Sequence, residues 1–115
     1  MKQLSENRVL AEGEKLLLKK CNTAIKNIDP SAEIVLYGSR ARGDAGAESD
    51  YDLLIITDKE ATLEREDVFR QQLFPIEIET GAVLTVFLIN RREWDSPLFN
   101  AMPFYQNVKK DGVLL

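Results

Sequence analysis

The residues whose types and spacing could do chemistry are two aspartates, Asp50 and Asp52, and the Gly38-Ser39 pair ahead of them. The aspartates open a run as apolar as Leu53-Leu54-Ile55-Ile56, with one residue between them. Side chains alternate along a strand, so both project from the same face, with their Cα atoms ~6.5–7 Å apart. Carboxylates at that separation can converge on one divalent ion. Equally, they can be a polar start to a strand, fully exposed to water. Gly38-Ser39 falls where the apolar run Ile34-Val35-Leu36-Tyr37 gives way to Ser39-Arg40-Ala41-Arg42. A helical turn starting there leaves backbone N–H groups without partners, and its dipole favours an anion. Glycine admits close backbone approach, and the serine hydroxyl can donate to a phosphate oxygen. The plainer reading is a turn with an N-cap.

The chemistry open to these residues is bounded by an absence, because the 115-residue chain contains no histidine. That excludes Ser-His-Asp and Cys-His nucleophilic catalysis, HExxH zinc sites and 2-His-1-carboxylate iron sites. Acid–base groups and metal ligands must then be mostly Asp or Glu, which suit the hard cations Mg²⁺, Mn²⁺ and Ca²⁺. Hard cations in catalysis usually mean phosphate chemistry. The single cysteine, Cys21, excludes an intrachain disulfide and a Cys-based zinc site. Fifteen basic residues against 19 acidic ones leave a net charge of −4, which argues against general nucleic-acid binding. No apolar run approaches the ~18 residues of a membrane span. The N-terminus MKQLSENRVLAEGEK lacks the apolar centre of a secretory signal, so a cytoplasmic location is expected.

The elements that must position these residues read as a small α/β (α+β) domain. With 44% apolar and 30% charged residues, the chain is expected to fold as one domain over 1–115. Apolar spacing through Leu10, Leu17, Cys21, Ala24 and Ile28 predicts a helix from Leu4 to Ile28, ended by Asp29-Pro30. Strands follow at Ile34–Tyr37, Tyr51–Thr57 and Val83–Ile89, with a helical turn at Ser39–Arg42 and a loop from Gly43 to Ser49. A surface helix is expected from Glu60 to Phe74 on Leu63, Val68, Leu73 and Phe74. Ile76-Glu77-Ile78-Glu79 could end that helix, capped by Gly81, or form a strand turning at Thr80-Gly81. The tail breaks at Ser96-Pro97 and holds a helix around Pro103 to Lys110. Its aromatics, Trp94, Phe99, Phe104 and Tyr105, fill one end of the core or form a patch for a second subunit. The whole predicts a mixed sheet of three or four strands with helices mainly on one face.

The stretch GSRARGDAGAESDYDLLII, Gly38 to Ile56, resembles the signature of the DNA polymerase β-like nucleotidyltransferase superfamily, Gly-Ser followed by Asp-x-Asp on the next strand. It is most similar to the minimal nucleotidyltransferases of bacteria and archaea, with GSRARG followed by SDYDL. The resemblance implies that Gly38 and Ser39 hold the β/γ-phosphates of a nucleoside triphosphate, ATP by preference. It implies that Asp50 and Asp52 are catalytic and ligate Mg²⁺, with Mn²⁺ an alternative, and that Arg42 rather than Arg40 reaches a phosphate. Gly43 would serve loop geometry alone.

Members of this superfamily usually carry a third carboxylate on the strand after the next helix, where it deprotonates the attacking hydroxyl. The corresponding strand here has Thr85 as its only polar member, leaving Glu77 or Glu79 just upstream as substitutes. The resemblance implies transfer of a nucleoside monophosphate, AMP from ATP, onto a hydroxyl of a partner protein or small molecule. It further implies a small helical partner of the HEPN class, in a toxin–antitoxin pair. The missing carboxylate supports an alternative, a binding module that acts as antitoxin or regulatory subunit by occlusion or nucleotide sensing. The short stretch after Asp52 leaves no room in this chain for the helical domain that larger relatives append.

Overall fold

The structure, a computed structural model, describes residues 1–46 and 48–115. Its elements run β1 (Lys2–Gln3), a 3₁₀ turn (Leu4–Glu6), α1 (Glu12–Ile28), β2 (Glu33–Tyr37), α2 (Ser39–Arg42) and β3 (Tyr51–Thr57). They continue through α3 (Leu63–Thr80), β4 (Leu84–Asn90), α4 (Arg91–Trp94), α5 (Pro97–Asn100), α6 (Pro103–Asp111) and β5 (Val113–Leu114). The sheet is ordered β1-β5-β2-β3-β4, with β2 antiparallel to β3 and β3 parallel to β4. The expected mixed α/β fold is observed, and it gains two two-residue strands, β1 and β5, beyond the three that periodicity reveals.

The alternation of each strand sorts its residues onto two faces. Ile34, Leu36, Leu53, Ile55, Leu84 and Val86 pack with Leu17, Leu18, Cys21 and Ile25 of α1 and Phe69 and Leu73 of α3. Val35, Leu54, Ile56 and Ile89 point the other way, under Trp94 of α4 and Val108 of α6. The two long helices thus share one face, as expected, and the short tail helices cover part of the other. The tail aromatics fill that second core, with Phe99, Phe104 and Tyr105 partly buried around it. Burial pushes the Cys21 thiol up to about 12, so it stays protonated and acts as a small apolar core residue.

Two sequence expectations are corrected, the start of α1 and the inward stripe of α3, and one open alternative, at Ile76–Glu79, is decided. Helix α1 begins at Glu12, not Leu4, because Asn7 Oδ1 accepts from the N–H groups of Val9 and Leu10 and folds that segment into a turn. Helix α3 runs on to Thr80 and closes on Gly81 at φ 74°, which makes Ile76–Glu79 helix and not strand. Pro75 is tolerated inside it because it lies on the exposed side, where the carbonyl it leaves unpaired meets water. The apolar side chains it buries are Phe69, Leu73 and Ile76, while Leu63, Val68 and Phe74 are exposed.

Strand β4 is a sheet edge, and α3 caps its outward groups. The Leu84 N–H donates to Glu77 Oε2 (2.9 Å), the Leu88 N–H donates to Glu66 Oε2 (3.2 Å), and the Val86 carbonyl accepts from Arg70 Nη2 (3.4 Å). At the C-terminal end of β3 a buried polar knot ties three elements together. Asp29 accepts from the N–H and hydroxyl of Ser31, from the Thr57 hydroxyl and from Arg65 Nη2. Among the described residues no helix is long and apolar enough to cross a membrane.

Candidate functional site

The site assembles where β2 ends and β3 and β4 begin. Register places Asp52 between Tyr37 on β2 and Thr85 on β4, all on the face that carries the tail helices. Thr85 Oγ1 donates to Asp52 Oδ1 at 2.7 Å. The other carboxylate oxygen lies over Gly38: a Cβ built there would stand 2.3 Å from Asp52 Oδ2. Gly38 also has φ 75° and ψ −159°, a conformation that side chains avoid. Glycine is therefore required at this position twice over, by its backbone angles and by the aspartate against it.

Gly38 opens α2, its carbonyl accepting from the N–H groups of Ala41 and Arg42. By helix geometry the Ser39 N–H has no intrahelical acceptor, so the turn starts with a donor beside the Asp52 carboxylate. Asp50 is exposed and stands one residue ahead of β3, two positions from Asp52 along the chain. Asp52 is half-buried. Its charge reaches Tyr37, whose phenol is held above its ordinary value by burial first and by Asp52 second.

The two arginines of the turn do different work. Arg40 grips the Ser49 carbonyl with both Nε (3.0 Å) and Nη2 (2.8 Å), directly before Asp50. It also pairs with Glu14 of α1 through Nη1 at 3.2 Å and lies over the Tyr51 ring, 4.3 Å from its centre. Glu14 in turn accepts from the Tyr51 hydroxyl and from the Ala11 N–H at the start of α1. The sequence offered Arg40 only as the lesser candidate for a phosphate and gave no sign of this grip, because a backbone carbonyl acceptor is marked by no residue type. Arg42, the expected phosphate ligand, is exposed and donates from Nε to Asp44 Oδ2 at 2.9 Å. It lines a hollow of about 430 Å³ with Lys2, Asn7, Lys110 and Gly112, which does not include Gly38, Ser39, Asp50 or Asp52.

Neither glutamate considered as the third carboxylate is placed for that role. Glu77 belongs to α3, on the opposite face of the sheet from Asp52, and is spent on the Leu84 N–H. Glu79 pairs with Lys20 of α1 at 2.7 Å. The strand position across from Asp52 belongs to Thr85, a donor and not an acid.

Whether these residues fit a metal can be judged from the donors. Among the described residues no group of three or more His, Cys, Asp or Glu side chains could hold an ion by itself. Two carboxylates beside a glycine cradle still suit Mg²⁺, which keeps waters and is commonly held by one or two carboxylates plus substrate phosphates. The donor set fits a cation that arrives with a polyphosphate.

Comparison with known proteins follows the same lines. The family model described as a nucleotidyltransferase domain matches residues 18–104, most of the chain and all of the site. A solved structure of a candidate nucleotidyltransferase from Sulfolobus solfataricus is similar over 95% of this chain and 87% of that one. The TM-score is 0.51 and the sequence identity 21%, a likeness of fold. No curated protein sequence matches.

Proposed function

The chain belongs to the nucleotidyltransferase domain family, and from that premise we propose that it transfers a nucleoside monophosphate from a nucleoside triphosphate, ATP by preference, to an acceptor hydroxyl. The observation that carries this reading is the closure of Asp52 against Gly38, which sets a carboxylate beside the turn that opens α2. In this reading Gly38 and Ser39 receive the β- and γ-phosphates, the backbone through N–H groups and Ser39 through its hydroxyl. Asp50 and Asp52 would hold Mg²⁺, which when bound neutralises the triphosphate and eases attack at the α-phosphorus. Thr85 fixes the Asp52 rotamer, and Arg40 fixes the chain that presents Asp50. Arg42 would reach a phosphate only by leaving Asp44.

The acceptor's proton is the point of tension. The strand neighbours of Asp52 are Tyr37 and Thr85, and neither is a base at neutral pH. That observation favours one second reading, nucleotide binding without transfer, in which the chain acts on a partner by occlusion or as a sensor. The likeness of the GSRARG and SDYDL motifs to minimal nucleotidyltransferases extends both readings to a small helical partner of the HEPN class in the cytoplasm, as an antitoxin.

The test is transfer of label from ATP carrying ³²P at the α-phosphate, with Mg²⁺ and a small helical protein of the HEPN class as acceptor. Label moved by the wild type and lost in both Asp50→Ala and Asp52→Ala supports transfer. Equal neutralisation of the partner by all three proteins, without label, supports the binding reading and sinks the transferase one.

A further inference from the structure

The second face of the sheet does not close over at the end nearest Asp52. Far from the site its aromatic core is sealed, with Trp94 4% and Val108 2% exposed. Beside the site, Phe87 is 37% exposed, on β4 and two residues beyond Thr85. Two residues along a strand return a side chain to the same face ~6.6–7 Å further on. The Phe87 ring packs against Phe104 at 5.5 Å, and Phe104 packs edge-on against Tyr37 at 5.2 Å and 86°. Tyr37 and Thr85 are the two strand neighbours of Asp52, so the three rings form a wall rising next to the carboxylate.

We propose that this wall is the nucleobase subsite, with the base of the bound nucleotide stacked on the exposed face of Phe87 and backed by Phe104. The inference rests on the phosphate and metal reading of Gly38, Ser39 and Asp52 and adds the part of the ligand that reading leaves unplaced. Continuity is the argument for this occupant. A nucleotide whose β- and γ-phosphates lie at Gly38 carries its base beyond the α-phosphate and the ribose. The register puts Phe87 two strands across and three residues along from Gly38, roughly 14 Å in strand geometry, a gap that an extended nucleotide can span. The exposed surface there is aromatic, and every base offers a π-face to stack. Unlike Trp94, which the core covers, Phe87 keeps part of its ring accessible while it packs against Phe104. Stacking without hydrogen bonds to base edges also implies weak discrimination among bases.

The experiment titrates the whole chain with Mg²⁺–ATP and, separately, with Mg²⁺ and inorganic tripolyphosphate, which has no base. Wild type, Phe87→Ala and Phe87→Tyr are compared after thermal melts confirm that each is folded. Phe87→Ala is expected to weaken ATP about tenfold. It should leave tripolyphosphate unchanged, and Phe87→Tyr should bind both as wild type does. In proton spectra the adenine H2 and H8 signals should move upfield on binding to wild type and less with Phe87→Ala. If Phe87→Ala binds ATP like wild type while tripolyphosphate also binds, the subsite is refuted and the phosphate reading stands. Equal weakening of both ligands in a folded Phe87→Ala protein overturns the subsite too. If wild type binds neither ligand, the phosphate reading fails and the subsite with it. Upfield shifts on the ring of added tyrosine amide, with adenine unshifted, would give the wall to an acceptor and refute the nucleobase.

Discussion

Thr85 stands directly across the β3–β4 ladder from Asp52 and donates a 2.7 Å hydrogen bond to its Oδ1. The bond leaves Oδ2 turned to Gly38, so a threonine on one strand aims a carboxylate on the next at the turn that opens α2. Thr85→Val removes the donor at similar bulk. Both residues are half-buried, so water can replace the bond and the cost in stability should stay near ~1 kcal/mol. Affinity for Mg²⁺–ATP should fall several-fold, and Thr85→Ser should restore it. Titration beside a denaturant melt separates the two effects, and undiminished affinity in Thr85→Val would remove the positioning role.

Gly38→Ala tests the same contact from the other side. The backbone angles alone cost a side chain about 1–3 kcal/mol. The added Cβ would also stand 2.3 Å from Asp52 Oδ2. The single variant should be destabilised by more than the backbone cost. In an Asp52→Ala background part of that excess should vanish, since the obstructing oxygen is gone. A double-mutant cycle reads the coupling. Strict additivity would mean that the two residues do not press on each other.

Arg40→Lys keeps the charge and loses the fork. A lysine can still approach Glu14 but cannot grip the Ser49 carbonyl with two parallel donors, so the chain that presents Asp50 should loosen. Mg²⁺–ATP affinity is expected to fall several-fold in Arg40→Lys, with a smaller drop in thermal midpoint. In an Asp50→Ala background the same substitution should cost no further affinity. A further loss there would show that Arg40 acts on the site by a route other than Asp50.

What could be read from the chain and what could not divide along physical lines. The three long strands and the turn at Ser39–Arg42 follow from unbroken apolar runs and a glycine, and they appear where expected. Periodicity also predicted a common face for Asp50 and Asp52, of which β3 holds only Asp52. Strands β1 and β5 escaped because two residues carry no period, and Lys2–Gln3 carries no apolar residue either. The inward stripe of α3 was misjudged because apolar residues line several of its sides, with Leu63, Phe74 and Ile78 in water and Phe69 fully buried. Glu77 resembled a spare catalytic carboxylate because its acceptor role involves a backbone N–H on another element, which composition cannot reveal.

Asp29 should dominate the acid limb of stability. Burial opposes its ionisation, but hydrogen bonds from Ser31 and Thr57 and the Arg65 guanidinium outweigh burial and hold the carboxyl below its ordinary 3.8. A folded-state pKa below the unfolded one means that the stabilisation is complete above the unfolded value and is lost as pH falls through the depressed one. Wild type should therefore lose stability below about pH 4 more steeply than Asp29→Asn, while at pH 7 the variant is the weaker protein. Denaturant melts from pH 7 to pH 2.5 would show this. Parallel curves for the two proteins would refute it.

The last prediction concerns the exposed edge of the sheet. A strand with free N–H and C=O groups is a template for another strand, and proteins must blunt it. Here α3 does so with side chains, Glu77 on the Leu84 N–H, Glu66 on the Leu88 N–H and Arg70 on the Val86 carbonyl. Glu66 is 16% exposed and is braced by its ion pair with Arg70. Glu66→Ala together with Glu77→Ala strips both acceptors and leaves two edge donors open beside the exposed Phe87. The double variant should form concentration-dependent dimers and larger species by light scattering, whereas Glu66→Gln with Glu77→Gln, which keeps the acceptor oxygens, should stay monodisperse like wild type. The glutamine control separates capping from charge: aggregation of both double variants alike would mean that the carboxylates protect the edge by repulsion and not by occupying its N–H groups.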